Sequence, residues 1–276
     1  MKIPPPNEDH VAPTLTLGGS VAARDRRFLV FAAVVLVALS LGFKSELIDP
    51  GHAWWLAAGL VLVAVPVLLA YLRVDPGPRL PAIEHYVPAV LGALTVAGLS
   101  LLVPDLWKFA LVAALFGVGF AVSARLDYLR LTAVPKRGHA FVQEAILAGA
   151  LIGGFVAVLS SPFGLLLKLA WIFALSALAA FRSFRVSGEP IPARRAFLFS
   201  LLVAQVVAFF AFAVSVYIAS LAEGIFAVML LLAWYINRGV MRHTAEESLT
   251  RNVVVEYGLF VVVLGFLFAY SYRNPG

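Results

Sequence analysis

The chain of 276 residues is 62% hydrophobic and only 13% charged, with a formal net charge of +6 and no cysteine. A soluble domain of this size is about half apolar and about a quarter charged, so these polar residues are too few to cover a water-facing surface, and lipid must be part of the solvent. The missing cysteines exclude disulfides, thiolate metal sites and iron–sulfur ligation. The positive charge lies between apolar runs, where an orientation signal accounts for it better than a nucleic-acid partner would.

Residues 1–27 are polar, with Pro4-Pro5-Pro6 and Gly18-Gly19-Ser20, and read as a disordered tail that ends in Arg24, Arg26 and Arg27. The next run, 28–43, is short and follows arginines, as a signal-peptide core does. No small-x-small cleavage site follows it, so it reads as the first membrane helix. Further apolar runs lie at 53–72, 87–103, 107–124, 142–160, 163–181, 196–219, 221–236 and 253–271. Each reaches or approaches the roughly 17–25 residues that a membrane-crossing helix needs. The expected fold is therefore all-α, a single transmembrane helix bundle of nine spans over residues 28–276.

Nine spans with the N-terminus inside put all but four of the 21 lysines and arginines on the cytoplasmic side; the four are Lys44, Lys108, Lys168 and Arg273. That asymmetry predicts an N-in, C-out protein of a bacterial-type plasma (inner) membrane. The connections around 73–86, 125–141, 182–195 and 237–252 then face the cytoplasm and the tighter ones face outward. Aromatic residues near span ends, namely Trp54, Trp55, Tyr71, Trp107, Trp234, Tyr235, Tyr270 and Tyr272, are expected to anchor at headgroup level.

Small residues repeat every four positions in two spans: Ala113, Gly117 and Ala121 in the fourth, and Ala145, Gly149 and Gly153 in the fifth. This spacing allows close helix approach and predicts that the two spans pack on each other. Few polar groups fall within the apolar runs. Lys168 and Glu223 lie near span ends, whereas Gln205 sits deep in the seventh span and is expected to bond a neighbouring helix.

One stretch carries candidate chemistry. Glu246-Glu247-x-x-x-Arg251 resembles the first motif of the CPBP intramembrane protease family, in which the pattern supplies a catalytic carboxylate on a helix. The resemblance covers six residues. The family's later Phe-x-x-x-His and His-x-x-x-Asn motifs have no counterpart here: Gln143 follows His139 at that spacing, and Glu247 follows His243. The residues themselves read as the start of the last helix, with Thr244 and Glu247 forming a capping box and Glu247 paired with Arg251. A second group, His139, Gln143 and Glu144, opens the fifth span, where ionisable side chains are candidates for function. Joined by His243 and Glu247, it would offer nitrogen and carboxylate ligands to a divalent metal; solvated interfacial residues are the expected reading.

No cofactor motif is present and no catalytic set is complete, so the leading expectation is a non-enzymatic structural, accessory or scaffold subunit. Its expected partners are membrane lipids and other membrane subunits, met through small-residue helix faces or cytoplasmic loops. A transporter or lipid-handling protein is the second reading. A membrane hydrolase using Glu246 or Glu247 with His139 is the third.

Overall fold

Lipid offers no hydrogen bonds, so an apolar run that enters it must bond its own backbone, and a helix does this within one segment. The computed structural model describes residues 19–46, 53–72, 82–132, 137–186, 191–218, 221–248 and 250–273. Among them lie nine α-helices: α1 (Gly19–Glu46), α2 (Ala53–Leu72), α3 (Val87–Leu102), α4 (Leu106–Thr132), α5 (Arg137–Leu159), α6 (Leu165–Val186), α7 (Ala193–Tyr217), α8 (Glu223–Ala245) and α9 (Arg251–Arg273). A 3₁₀ turn, Ile83–His85, leads into α3, whose first turn holds Pro88 where no intrahelical donor is needed. All nine helices are long and apolar enough to cross a membrane, and there is no strand among the described residues. Among the described residues the chain is all-helical, an architecture compatible with a multi-pass membrane protein.

Several helices outrun their apolar stretches. α1 begins at Gly19, inside the stretch expected to be a tail, while residues 1–18 lie outside the described ones. α4 continues to Thr132, α6 to Val186 and α8 to Ala245, and α5 starts as early as Arg137. Polar sequence that reads as connecting loop is therefore helical.

Bonds between helices show which ends lie together. Lys44 at the end of α1 donates to the Ser100 carbonyl at the end of α3 (2.5 Å). Lys168 in the first turn of α6 donates to the Leu159 carbonyl that ends α5 (2.5 Å), and Ser160 bonds Glu223 at the start of α8. At the opposite end, the turn before α3 meets the ends of α4 and α6, and the start of α5 bonds the end of α4. We call this second end the basic end.

The helices form two rings of four. In the first, α1, α2, α3 and α4 pack in succession and α1 closes onto α4; in the second, α5 to α8 do the same and α5 closes onto α8. α3 belongs to both cores. Its Ala89, Ala93, Val96 and Ala97 enter the first, with Leu36, Leu60 and Phe109, while its Val87 and Leu91 enter the second, with Leu151, Phe155 and Trp234. α9 stands outside both rings and packs on α8, where Tyr257 lies against Gly239.

The small-residue repeats do not join α4 to α5 as expected. Gly117 and the buried Ala113 are on the face of α4 that meets α1, where a Cβ at Gly117 would come within 2.8 Å of Val37 and 3.1 Å of the Ala33 carbonyl. Gly153 faces α3, with Thr95 2.5 Å from the position of a Cβ. Ala145 and Gly149 are exposed, and Ala121 is half-buried. The α4 repeat packs on α1, and the α5 repeat packs only at Gly153, on α3. The aromatic anchors divide too. Trp55, Trp107 and Tyr270 are exposed, but Tyr71 and Trp234 are buried, the latter donating to the Ser176 carbonyl (3.2 Å). Tyr235 is half-buried against Tyr257 and Phe260, and the side chains of Trp54 and Tyr272 lie outside the described ones.

These contacts separate two glycines of one repeat. Gly153→Val forces a branched side chain into Thr95 and should cost about 1–3 kcal/mol. Gly149→Ala meets nothing within 4 Å and should be neutral or stabilising by up to about 1 kcal/mol. Thermal unfolding of the two variants in detergent checks the contrast, and equal effects would contradict the packing described.

Candidate functional site

The basic end holds the most polar region of the interior. Asp127 on α4 and Arg182 on α6 are 1% and 2% exposed, and Arg182 Nη2 lies 3.0 and 3.2 Å from the two Asp127 oxygens. Gln143 on α5 donates to Asp127 Oδ1 at 2.6 Å, while Arg182 Nη1 donates to the Glu84 carbonyl at 2.6 Å. His85 Nδ1 approaches Asp127 Oδ2 to 3.3 Å, an ion contact whose geometry falls short of a hydrogen bond. The Glu84 carboxylate receives Arg185 (3.0 and 3.1 Å), which also donates to the Ile191 carbonyl.

A second group adjoins the first through chain neighbours. Glu144, next to Gln143, accepts from Ser183 (2.7 Å) and lies 3.3 Å from Arg238 Nη1. Ser183, next to Arg182, also accepts from Arg238 (2.8 Å), and the Arg238 guanidinium lies over the rings of Trp234 and Tyr235, 5.4 Å from each centroid. Arg242 reaches the Ser183 carbonyl and pairs with Glu246 (2.8 Å). Four guanidinium groups thus face four carboxylates across α4, α5, α6, α8 and the turn before α3. A buried charge is tolerated only when paired and hydrogen-bonded, and here each opposes its counter-ion.

The local sequence explains why these side chains point inward. Asp127 continues the buried stripe of α4 that runs through Phe109, Ala113, Gly117, Phe120 and Ala124. Arg182 extends Ile172, Leu175 and Ala179; Gln143 precedes Leu147 and Leu151 by four and eight; Arg238 follows Leu230 and Trp234. Each polar residue occupies the next inward position of its own helix. Assigning 125–141, 182–195 and 237–252 to loops treats Asp127, Arg182 and Arg238 as solvated loop residues and gives Ser183 no role. The 3.6-residue period, carried one turn past the apolar run, was the signal that would have found them.

The anticipated candidates are placed differently. Thr244 and Glu247 form no capping box at the start of α9. Thr244 lies in the last turn of α8 and bonds the Val240 carbonyl (2.8 Å). Glu247 has φ of 50°, with its N–H directed to the Thr244 carbonyl and the Ser248 N–H bonded to the His243 carbonyl. This is a Schellman ending of α8, with Glu247 in the left-handed position that glycine usually fills. The polar residues from Asn237 on continue α8 rather than begin α9, because Arg238 and Arg242 have partners in the bundle. Glu246 is tied to Arg242, and Arg251 is exposed at the first turn of α9. Glu144 is engaged by Ser183 and Arg238, His243 by Ser248 (2.9 Å), and His139 is half-buried in the first turn of α5. Among the described residues no three His, Asp or Glu side chains converge to hold a metal ion. Gln205, expected to bond a neighbouring helix, is exposed on α7.

Two crevices flank α3. One of about 370 Å³ lies between α3, α4 and α5, running from Pro88 and Phe120 past Phe116 and Ile146 to Leu99 and Gly153. Thr95 is the only residue of its lining with a polar side chain, and its hydroxyl is bonded to the Ala150 carbonyl (2.7 Å). Exposed Leu115 and Gly149 stand at its edge, so it opens sideways between α4 and α5. The other, about 210 Å³, lies between α3, α5 and α6 at the end away from the arginines, under Phe163 and Trp171.

Arg182→Met strands Asp127 among buried neighbours and should cost about 3–5 kcal/mol, whereas Arg182→Met with Asp127→Leu should recover most of that loss. Denaturant unfolding in detergent checks both, and simple addition of the two effects would count against a coupled pair. Glu247→Gly relieves a left-handed non-glycine residue and should stabilise by roughly 0.5–1 kcal/mol in the same assay. No protein family, curated protein or solved structure matches this chain.

Proposed function

We propose that this is a non-enzymatic, lipid-handling accessory protein of a bacterial-type plasma membrane, and that it holds an acyl chain in the crevice between α3, α4 and α5. The crevice itself carries the reading. It lies midway along three membrane-length helices, opens sideways, and offers a ligand an apolar lining whose one hydroxyl is already bonded. Its volume of about 370 Å³ falls within the roughly 300–1,000 Å³ typical of ligand sites. An ion or polar solute would find no partner in it. The charged side chains at the basic end face one another, which suits a structural lock better than a catalytic set.

The arrangement in the membrane follows from charge. We take the basic end to be cytoplasmic, with the N-terminus inside and the C-terminus outside, because cytoplasmic connections retain lysine and arginine.

Native mass spectrometry after detergent exchange tests the lipid reading. The wild-type chain should retain phospholipid, and Gly149→Phe, which projects into the crevice from a position with open space, should lose it while keeping its melting temperature. A wild-type protein that emerges free of lipid would end the proposal. Orientation is read separately on this cysteine-free background. In intact cells a membrane-impermeant maleimide should label Ser161→Cys and spare Thr244→Cys until the cells are opened; the reverse pattern would invert the topology.

A further inference from the structure

Gln205 is the thirteenth residue of the 25-residue helix α7, and so stands at the middle of a membrane-length span. The two serines of α7 satisfy themselves locally, Ser200 on the Phe197 carbonyl (2.7 Å) and Ser215 on the Ala211 carbonyl (2.8 Å). Gln205 does not. Its side chain is exposed, and no group among the described residues bonds it. An amide with two donors and an acceptor, left bare in hydrocarbon, costs several kcal/mol.

The face around it is continuous. Leu198, Leu202, Gln205, Phe209, Phe212 and Val216 recur at helical spacing and all are exposed. α7 packs between α6 and α8, across the ring from α5, so this face points away from the first ring. The arrangement is an apolar stripe with one hydrogen-bonding group at its centre.

We infer that this face of α7 docks a second copy of the same chain through a pair of Gln205 side chains. The chemistry selects this occupant. A primary amide is both donor and acceptor, so two of them form a reciprocal pair, and a two-fold axis along the membrane normal sets equal depths side by side without further design. A different partner would have to bring its own polar group to the same depth. Arg194 lies on the same stripe three turns before Gln205, where the two copies carry like charges. Helices that cross at Gln205 diverge towards that end, and the arginines extend to headgroup level. The inference is independent of the acyl-chain reading, since Gln205 borders neither crevice.

Single cysteines in this cysteine-free chain supply the test. In proteoliposomes at high lipid dilution, Phe209→Cys should cross-link to a species of twice the chain mass, whereas Val262→Cys on exposed α9 should not. In a fluorescence-transfer dilution series, Gln205→Leu should weaken association roughly tenfold and Gln205→Asn should largely restore it. The leucine variant removes no contact within one chain, so its melting temperature should not fall. Phe209→Cys that cross-links no better than the α9 control would overturn the inference. So would Gln205→Leu that associates like the wild type, or Phe209→Cys in native membranes that cross-links only to a different protein.

Discussion

The pairing of Asp127 with Arg182 is the constraint on which the rest of the basic end depends. It connects α4, in the first ring, to α6, in the second, with both side chains withdrawn from solvent. Because neither charge is tolerable alone at that depth, the helix ends that carry them are held in one register. Gln143 and the Glu84 carbonyl then bond Asp127 and Arg182 respectively, with His85 beside the carboxylate. The two rings share apolar packing along α3, which specifies proximity; the ion pair adds direction, because an apolar seam tolerates small slips that a bonded guanidinium does not.

The opposite end is joined more lightly. Lys44 and Lys168 each donate to the last carbonyls of a helix, where no intrahelical donor remains. Between the two ends, close contacts at Gly98, Gly117 and Gly153 bring backbones together, and the rings separate where α4 and α5 turn to different partners. The lateral crevice is the consequence. α4 closes on α1 and α5 closes on α3, so the space between them is left to whatever apolar matter surrounds the protein. Firm clamping at one end and a lateral opening midway are two results of the same division into rings.

Much of the architecture was legible in the chain. Nine apolar runs became nine helices because length and hydropathy alone decide which segments of a backbone can sit in lipid. Lys168 and Glu223 bond groups at helix ends, the Leu159 carbonyl and Ser160. Of the small-residue repeats, Gly117 and Gly153 make close contacts whereas Ala145 and Gly149 are exposed, and the sequence does not say which helix each face meets. Loop boundaries were drawn where hydropathy fell, and that rule hid the network: Asp127, Arg182 and Arg238 are polar yet inward-facing, and hydropathy cannot tell an exposed charge from a paired one. Glu246 and Glu247 went astray for the same reason, since α8 runs on through polar residues and ends where a fresh helix was expected to start.

By itself, then, the sequence determined which nine segments are long and apolar enough to span a membrane and how unevenly positive charge falls between them, because these depend on the composition of single segments. Only the tertiary structure decided which charges meet, which glycines touch a neighbour, where a crevice opens and that Gln205 faces outward. Those outcomes depend on pairs of segments far apart in the chain. A helix advertises its apolar face through its period, but the identity of the surface covering that face is settled only when all the helices compete for the same core.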